Sequence, residues 1–208
     1  MKLVEMNVND YLDLLKSDAP APGGGSVSAL AGAQGVGLTM MVCDLTLGKE
    51  KYAEHQELCK EVRAQAEPVY KELVESVDRD TEAFNLIAVA FKMPKETEED
   101  KAARRKAIAE GTLEATRVPF RTMELAYQGL QLADRILGKS NQNAASDLGV
   151  GIINLLTCIR GAWMNVRINL PGVKDETFAA ECQKKGQDMI KEAEAIAEKA
   201  YKQVLESL

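Results

Sequence analysis

Residues 19–43 read APAPGGGSVSALAGAQGVGLTMMVC and contain no charged side chain, in a chain in which 28% of the residues are charged. We therefore expect this stretch to be buried. Gly23, Gly24 and Gly25 form a flexible elbow, and a helix follows in which Ser26 is the N-cap or a first-turn donor. The rest of the chain is expected to fold around this helix.

One stripe of the predicted helix consists of small residues, at Gly25, Ala29, Ala33 and Gly37. Because residues four apart share a helix face, another helix can approach this stripe closely. A transmembrane span is disfavoured because it needs about 20 strongly apolar residues. A Walker phosphate loop is disfavoured because no Lys-Ser or Lys-Thr pair follows the last glycine. The elbow is either a structural bend or a set of free N–H groups that binds an anionic or carbonyl group.

Length and composition favour a single all-α domain over residues 1–208. Aromatic residues make up only 5% of the chain, whereas residues that favour helices are abundant. The net charge of −6 argues against nucleic acid as a partner. The pattern predicts a bundle of about six helices, several of them long and kinked.

The N-terminus, the cysteines and the histidine favour a cytoplasmic protein without a metal. The sequence MKLVEMNVNDYL has acidic residues before any apolar core, so we expect neither a signal nor a transit peptide and no membrane association. The four cysteines include no CxxC pair, which indicates reduced thiols. The single histidine, His55, argues against a multi-histidine metal site and a Ser-His-Asp triad.

Apolar spacing and helix-breaking residues define the expected helices. They cover residues 7–16, about 26–48, about 58–93 with a kink or break at Pro68, about 98–137 with a bend at Pro119, 147–170, and the C-terminal segment. Helices this long do not bury their flanks within one subunit, so we expect a homodimer. The small-residue stripe of residues 25–37 is one candidate for its interface.

Asp80 interrupts the apolar seam of the helix predicted at 58–93. The seam alternates in steps of three and four, and Asp80 occupies the core position between Val77 and Phe84. A buried carboxylate at this position destabilises the fold unless it forms an ion pair or a hydrogen bond, and it is otherwise kept for a function. Asp80 is therefore a functional acid or base, or it caps a neighbouring helix or pairs with an arginine.

The helix predicted at 147–170 carries a second face of polar or small residues. Its members are Asp147, Gly151, Asn154, Cys158, Gly161 and Asn165. Such a face either lets another helix pass closely or forms the floor of a groove for a polar ligand. The polar candidates inside the bundle are Asp80, Asn143, Asp147, Asn165, Arg167 and the elbow from Gly23 to Ser26. This set has no evident nucleophile–base pair and no metal cage, which favours proton transfer and charge stabilisation.

A series of motifs follows in order: PAPGGGSVSAL, DLTLGKEKY, DRDTEAFNLI with MPKETEE, ATRVPF, NQNAASDLGVG and NVRINLPG. Their combination resembles the cyclodeaminase/cyclohydrolase family of folate enzymes, to which the C-terminal domain of formiminotransferase-cyclodeaminase belongs. The resemblance implies an all-helical, dimer-forming subunit that acts on one-carbon derivatives of tetrahydrofolate, with no cofactor beyond this substrate. It implies closure of 5-formiminotetrahydrofolate to 5,10-methenyltetrahydrofolate with loss of ammonia, hydrolysis of the methenyl compound to 10-formyltetrahydrofolate, or both.

This chemistry assigns roles to the polar candidates. Asp80 is expected to transfer the proton, and Asp147 is expected to orient or stabilise the cation. The expected pterin or tail ligands are Asn143, Asn165 and Arg167, with backbone donors from Gly23, Gly24, Gly25 and Ser26. In the alternative, the chain is a non-catalytic helical assembly or regulatory subunit, and both aspartates are structural.

An anionic polyglutamate tail on the folate would need a local basic patch in this acidic protein. The candidates are Lys95, Arg104, Arg105 and Lys139.

Overall fold

The computed structural model describes residues 2–208, which form six α-helices and no strand. The helices are α1 (Val8–Leu15), α2 (Gly24–Thr46), α3 (Gln56–Phe91), α4 (Glu98–Ile136), α5 (Ala145–Asn169) and α6 (Glu176–Ser207). Short 3-10 turns lie at Leu3–Glu5, Glu50–His55, Gln142–Ala144 and Leu170–Gly172. The prediction of an all-α bundle of about six helices is confirmed.

α2 is the central helix and packs against α3, α4 and α5. Its glycines allow α5 to approach closely: a Cβ on Gly35 would lie 2.7 Å from the carbonyl oxygen of Gly151, and one on Gly32 would lie 2.8 Å from Sγ of Cys158. In the described part of the chain, α2 is the one helix long and apolar enough to cross a membrane, but 61% of its apolar window is buried within the protein. α2 is therefore a core helix, as the uncharged stretch predicts.

The small-residue stripe of α2 lies against α3. Gly25 faces Asp80, Ala29 and Ala33 are buried, and a Cβ on Gly37 would lie 3.6 Å from the ring of Tyr70. The predicted close approach of another helix is confirmed. α3 of the same chain covers the stripe at Gly25, whereas Ala33 and Gly37 line a groove at the surface. The use of this stripe as a subunit interface stays a prediction.

α3 continues through Pro68, so a break at this proline does not occur. Pro68 is exposed, whereas Ala66, Val69 and Leu73 beside it are buried in the core. A proline inside a helix removes one backbone hydrogen bond, and burial of the apolar seam on both sides of Pro68 offsets this loss. Pro119 likewise lies inside α4.

α3 and α4 form a long antiparallel hairpin that carries one wall of the site. Ion pairs join them at Arg121 with Glu72 (3.0 Å) and at Arg135 with Glu61 (2.9 Å). Toward the tip of the hairpin, a Cβ on Gly111 of α4 would lie 3.2 Å from the backbone nitrogen of Ile87. This close packing holds the second half of α3 against α4, beside the start of α2.

Candidate active site

A cavity of about 120 Å³ lies where the N-terminus of α2 meets α3, α4 and α5. Its lining residues are Pro20, Ala21, Gly23, Gly24, Gly25, Asp80, Thr81, Phe84, Ile87, Ala115, Asn165 and Asn169. The cavity thus brings together three groups that the sequence singles out: the glycine elbow, Asp80 and Asn165. Ser26 lies directly behind it.

The Asp80 carboxylate is anchored to the first turn of α2 by one of its oxygens. The backbone N–H of Ser26 donates to Oδ2 of Asp80 at 3.0 Å. The Ser26 hydroxyl lies 3.3 Å from the same oxygen and donates to the carbonyl of Val77 at 2.7 Å. Asp80 therefore caps α2, as the structural alternative predicts, but within residues 2–208 it pairs with no arginine.

The other oxygen of Asp80, Oδ1, accepts no hydrogen bond within residues 2–208, and Asp80 is one of the residues that line the cavity. Burial raises the pKa of the Asp80 carboxyl, and the N–H and hydroxyl of Ser26 partly oppose this effect. A carboxyl with one oxygen fixed and the other directed to a cavity can donate or accept a proton in a defined direction.

Gly25 is required by the close approach of α2 to Asp80. A Cβ at this position would overlap the carboxylate of Asp80. The other two elbow glycines have more space, since a Cβ on Gly24 would lie 3.6 Å from Nδ2 of Asn165 and one on Gly23 would meet nothing within 4 Å. Gly23 is the N-cap of α2. Gly24 and Gly25 are its first helical residues, so their N–H groups have no acceptor within the helix.

Two asparagine side chains at the end of α5 form the wall opposite the elbow. Nδ2 of Asn165 donates to the carbonyl of Gly161 at 2.9 Å. Nδ2 of Asn169 donates to the carbonyls of Ala115 (2.9 Å) and Asn165 (3.0 Å). Both amide nitrogens are therefore engaged with main-chain carbonyls.

α1 adds a buried phenol near Asp80. Tyr11 is 8% exposed, and its hydroxyl is buried without a hydrogen-bond partner within residues 2–208. Burial raises the pKa of Tyr11, and the charge of Asp80 raises it further. The phenol of α1 thus lies close enough to Asp80 for the charge of this carboxylate to act on it.

The single subunit does not bring Asp147 and Asn143 to the cavity. Asp147 lies in the first turn of α5 and Asn143 in the preceding 3-10 turn. Asn165 follows Asp147 by about five helical turns, or roughly 27 Å along the axis. The polar face predicted on α5 exists, but it runs the length of the helix. Within one subunit only its Asn165 end lines the cavity, and its Asp147 end lies far from it.

The predicted cationic residues also lie away from the cavity. Arg167 is exposed and its guanidinium lies 5.7 Å from the ring centroid of Trp163. Lys95, Arg104 and Arg105 lie at the N-terminal end of α4 or just before it, whereas Lys139 follows the C-terminal end of this long helix. The four candidates for a basic patch therefore do not form one surface within the subunit.

Sequence reasoning missed several cavity residues. Asn169 lies four residues after Asn165, so extending the polar face of α5 by one turn identifies it. Thr81, Phe84 and Ile87 follow Asp80 on α3, and only the packing of α3 against α2 and α4 indicates that they line a cavity. Ala115 has no functional group, so nothing in the sequence indicates that it lines the cavity.

Known proteins match the chain over most of its length. The family model described as Formiminotransferase-cyclodeaminase matches residues 7–188. A methenyltetrahydrofolate cyclohydrolase from Methylorubrum extorquens is 38% identical over 197 residues, which cover 95% of each chain. A formimidoyltransferase-cyclodeaminase from Dictyostelium discoideum is 34% identical over 95% of this chain and 36% of its own, so the chain spans about a third of that relative.

A solved structure supports the fold. The crystal structure of formiminotetrahydrofolate cyclodeaminase from Thermotoga maritima superposes with a TM-score of 0.80 at 24% identity, over 100% of this chain and 98% of that one. The family match covers well over half of the chain, and the predicted resemblance is confirmed. The chain belongs to the formiminotransferase-cyclodeaminase family.

Proposed function

We propose that the protein acts on one-carbon derivatives of tetrahydrofolate, chiefly as a methenyltetrahydrofolate cyclohydrolase. The observation that carries the proposal is the half-anchored carboxylate of Asp80, a cavity-lining residue with one oxygen hydrogen-bonded to the N-terminus of α2 and the other without a hydrogen bond within residues 2–208. The choice of reaction is supported by the relative named methenyltetrahydrofolate cyclohydrolase, which matches over 95% of both chains. The proposal requires no cofactor beyond the folate.

In the proposed hydrolysis, Asp80 is the base. A water molecule attacks the carbon that bridges N5 and N10, and Oδ1 of Asp80 takes a proton from this water. The bond from the bridging carbon to N5 then breaks, N5 receives the proton from Asp80, and the adduct hydroxyl loses its proton as the N10-formyl group forms. Methenyltetrahydrofolate cation and water thus give 10-formyltetrahydrofolate and one released proton.

Cyclodeamination is the second candidate, because the relative from Dictyostelium discoideum carries that name. In this reaction N10 attacks the formimino carbon and its proton passes to the imino nitrogen, Asp80 in its protonated form donates a second proton to that nitrogen, and the bond from the carbon to the departing ammonia breaks. The raised pKa of Asp80 suits this acid role as well. Both reactions pass through the same bridged carbon, so one carboxyl can serve either.

The deciding experiment follows the absorbance of methenyltetrahydrofolate with purified protein, starting separately from the formimino and the methenyl compound, while ammonia is assayed. We expect the protein to accelerate loss of the methenyl chromophore without ammonia. Formation of the chromophore with ammonia from the formimino compound would instead establish the cyclodeaminase. No reaction from either compound would favour the non-catalytic assembly or regulatory subunit.

We further propose that two copies associate through the outer face of α2 and α5. This face carries exposed apolar side chains at Val27, Met41 and Leu45 on α2 and at Val150, Ile153, Met164 and Ile168 on α5. Two adjacent helices of this length present a face roughly 35 Å by 20 Å, or about 700 Å². A stable interface needs about 800 Å² per partner. The area of this face is close to that value, so we propose that the same face of a second copy covers it.

A two-fold axis across this face would pair α5 with α5 of the second copy in antiparallel orientation. The Asp147 end of one helix would then lie beside the Asn165 end of the other. We propose that Asp147 and Asn143 complete the cavity of the partner subunit. This arrangement accounts for a polar face that runs the whole length of α5.

Co-expression of two inactive variants tests this arrangement. Asp80→Asn and Asp147→Asn are each expected to be inactive, and their mixture should recover about a quarter of the wild-type activity, since half of the dimers are mixed and one site in each mixed dimer is intact. The matched control combines Asp80→Asn with Asp80→Ala, which cannot restore any site. No recovery in verified mixed dimers, or full activity of Asp147→Asn alone, would contradict the shared site.

A further inference from the structure

We infer that Asn165 and Asn169 present amide oxygens to the cavity and select a cationic one-carbon unit over a neutral one. The inference rests on the proposed function and concerns the same site. It concerns the charge of the ligand, which the family match does not address, and it assigns a binding role to Asn169.

The orientation of both amides is fixed by their main-chain partners. A backbone carbonyl only accepts hydrogen bonds. The group that Asn169 directs at the carbonyls of Ala115 and Asn165 must therefore be its NH₂, and both of its N–H bonds are used there. The NH₂ of Asn165 is directed in the same way at the carbonyl of Gly161. Since both side chains line the cavity, the groups that remain for a ligand are their two Oδ1 atoms and the second N–H of Asn165.

These two oxygens share the cavity with Oδ1 of Asp80. One side of the cavity is thus formed by acceptors, and none of the cavity-lining residues within 2–208 is a lysine or an arginine. The free donors are the N–H groups of Gly24 and Gly25 and the second N–H of Asn165. Partial and full negative charges that face a small, partly enclosed space attract a cation and repel an anion.

The methenyl compound offers the matching charge. Its N5–CH–N10 unit is an amidinium cation, whereas a formyl derivative is neutral at the same atoms. Addition of water removes the positive charge, so the amide oxygens stabilise the bound substrate more than the transition state. Loss of one oxygen should therefore raise KM and leave kcat unchanged or higher.

The test is Asn169→Leu, which keeps the approximate volume and removes both polar atoms. We expect KM for 5,10-methenyltetrahydrofolate to rise about tenfold, the factor for one hydrogen bond to a charged partner. The inhibition constant of neutral 5-formyltetrahydrofolate should stay within about twofold of wild type, because the lost oxygen faces the charge. Asn85→Leu, at an exposed position of α3 outside the cavity, is the matched control and should change neither value.

Other outcomes overturn the inference. An equal rise in both constants would mean that the oxygens bind the N–H groups of the pterin, which the two compounds share. No change in either would mean that the amides do not face the ligand. If Asn169→Leu folds poorly, Asn165→Leu tests the second oxygen in the same way. Wild-type protein that neither turns over the methenyl compound nor binds the formyl compound would refute the proposed function itself.

Discussion

Replacing Asp80 by Asn is expected to lower kcat by about 10²- to 10⁴-fold, the usual contribution of a positioned acid or base. The amide keeps the shape of the carboxyl, and its oxygen can still accept the N–H of Ser26. The variant therefore loses proton transfer while the cap of α2 remains. Steady-state turnover of 5,10-methenyltetrahydrofolate measures the effect.

The same variant should be at least as stable as the wild type at neutral pH. Burial raises the pKa of Asp80, so its ionised form is less favourable in the folded than in the unfolded chain. The contribution of this carboxyl to stability is complete below its unfolded pKa and is lost as the pH rises through the folded pKa. Asn carries no charge and avoids that loss. An unchanged or higher Tm combined with lost turnover would separate a catalytic role from a structural one.

The dependence of activity on pH gives a further test of the role of Asp80. As a base in hydrolysis, Asp80 must be ionised, so activity should fall when the pH is lowered through its folded pKa, which burial places above the ordinary value. The residual activity of Asp80→Asn should lack this acidic limb.

A control for Asp80→Asn lies on the same helix. Asp78 accepts the N–H of Leu3 at 2.6 Å and does not line the cavity. Asp78→Asn is therefore expected to retain wild-type turnover. Normal turnover in Asp80→Asn would contradict the assignment of the catalytic group.

Gly25→Ala is expected to produce the second large effect, on both stability and activity. Its Cβ would overlap the Asp80 carboxylate, so the carboxylate or the first turn of α2 must move. Overpacking of this kind costs about 1–3 kcal/mol, and the better helix propensity of Ala returns about 1 kcal/mol at most. Displacement of the base by about 1 Å can reduce turnover about 10²-fold.

The matched control for Gly25→Ala is Gly23→Ala in the same elbow, because a Cβ at Gly23 meets nothing within 4 Å. Thermal unfolding and steady-state kinetics on both variants make the comparison. Wild-type stability and turnover in Gly25→Ala would show that the elbow and Asp80 can separate without consequence, and would weaken the case for an anchored carboxylate.

The sequence predicts the helices well because each follows from local chemistry. Periodic apolar residues, the glycine elbow and the prolines near the ends place them to within a few residues. Pro68 is harder, since the outcome at a proline depends on how firmly the flanking turns are buried, and burial is a property of the whole bundle. The unbroken α3 reflects that tertiary packing.

The site could be predicted in part. Asp80 stands out because a carboxylate interrupts an apolar seam, and the glycine elbow stands out because it has no side chains. Periodicity also places Asp147 and Asn165 on one face of α5. A shared face means that both side chains leave the helix on the same side, but it does not bring them close to each other along the helix axis. Residues at opposite ends of a long helix therefore appear together in the sequence pattern while the subunit keeps them apart.

The five glycines of α2 have a consequence for motion. Gly32, Gly35 and Gly37 lie in its interior, and each lowers the intrinsic stability of the helix by about 1 kcal/mol, so α2 has little tendency to form alone. It persists because α3, α4 and α5 enclose it, and its backbone hydrogen bonds can open only when those neighbours separate. The helix with the weakest local preference is thus among the last to exchange its amide hydrogens. Asp80 is bound to the start of that helix, so its carboxylate is tied to the slowest-opening part of the molecule.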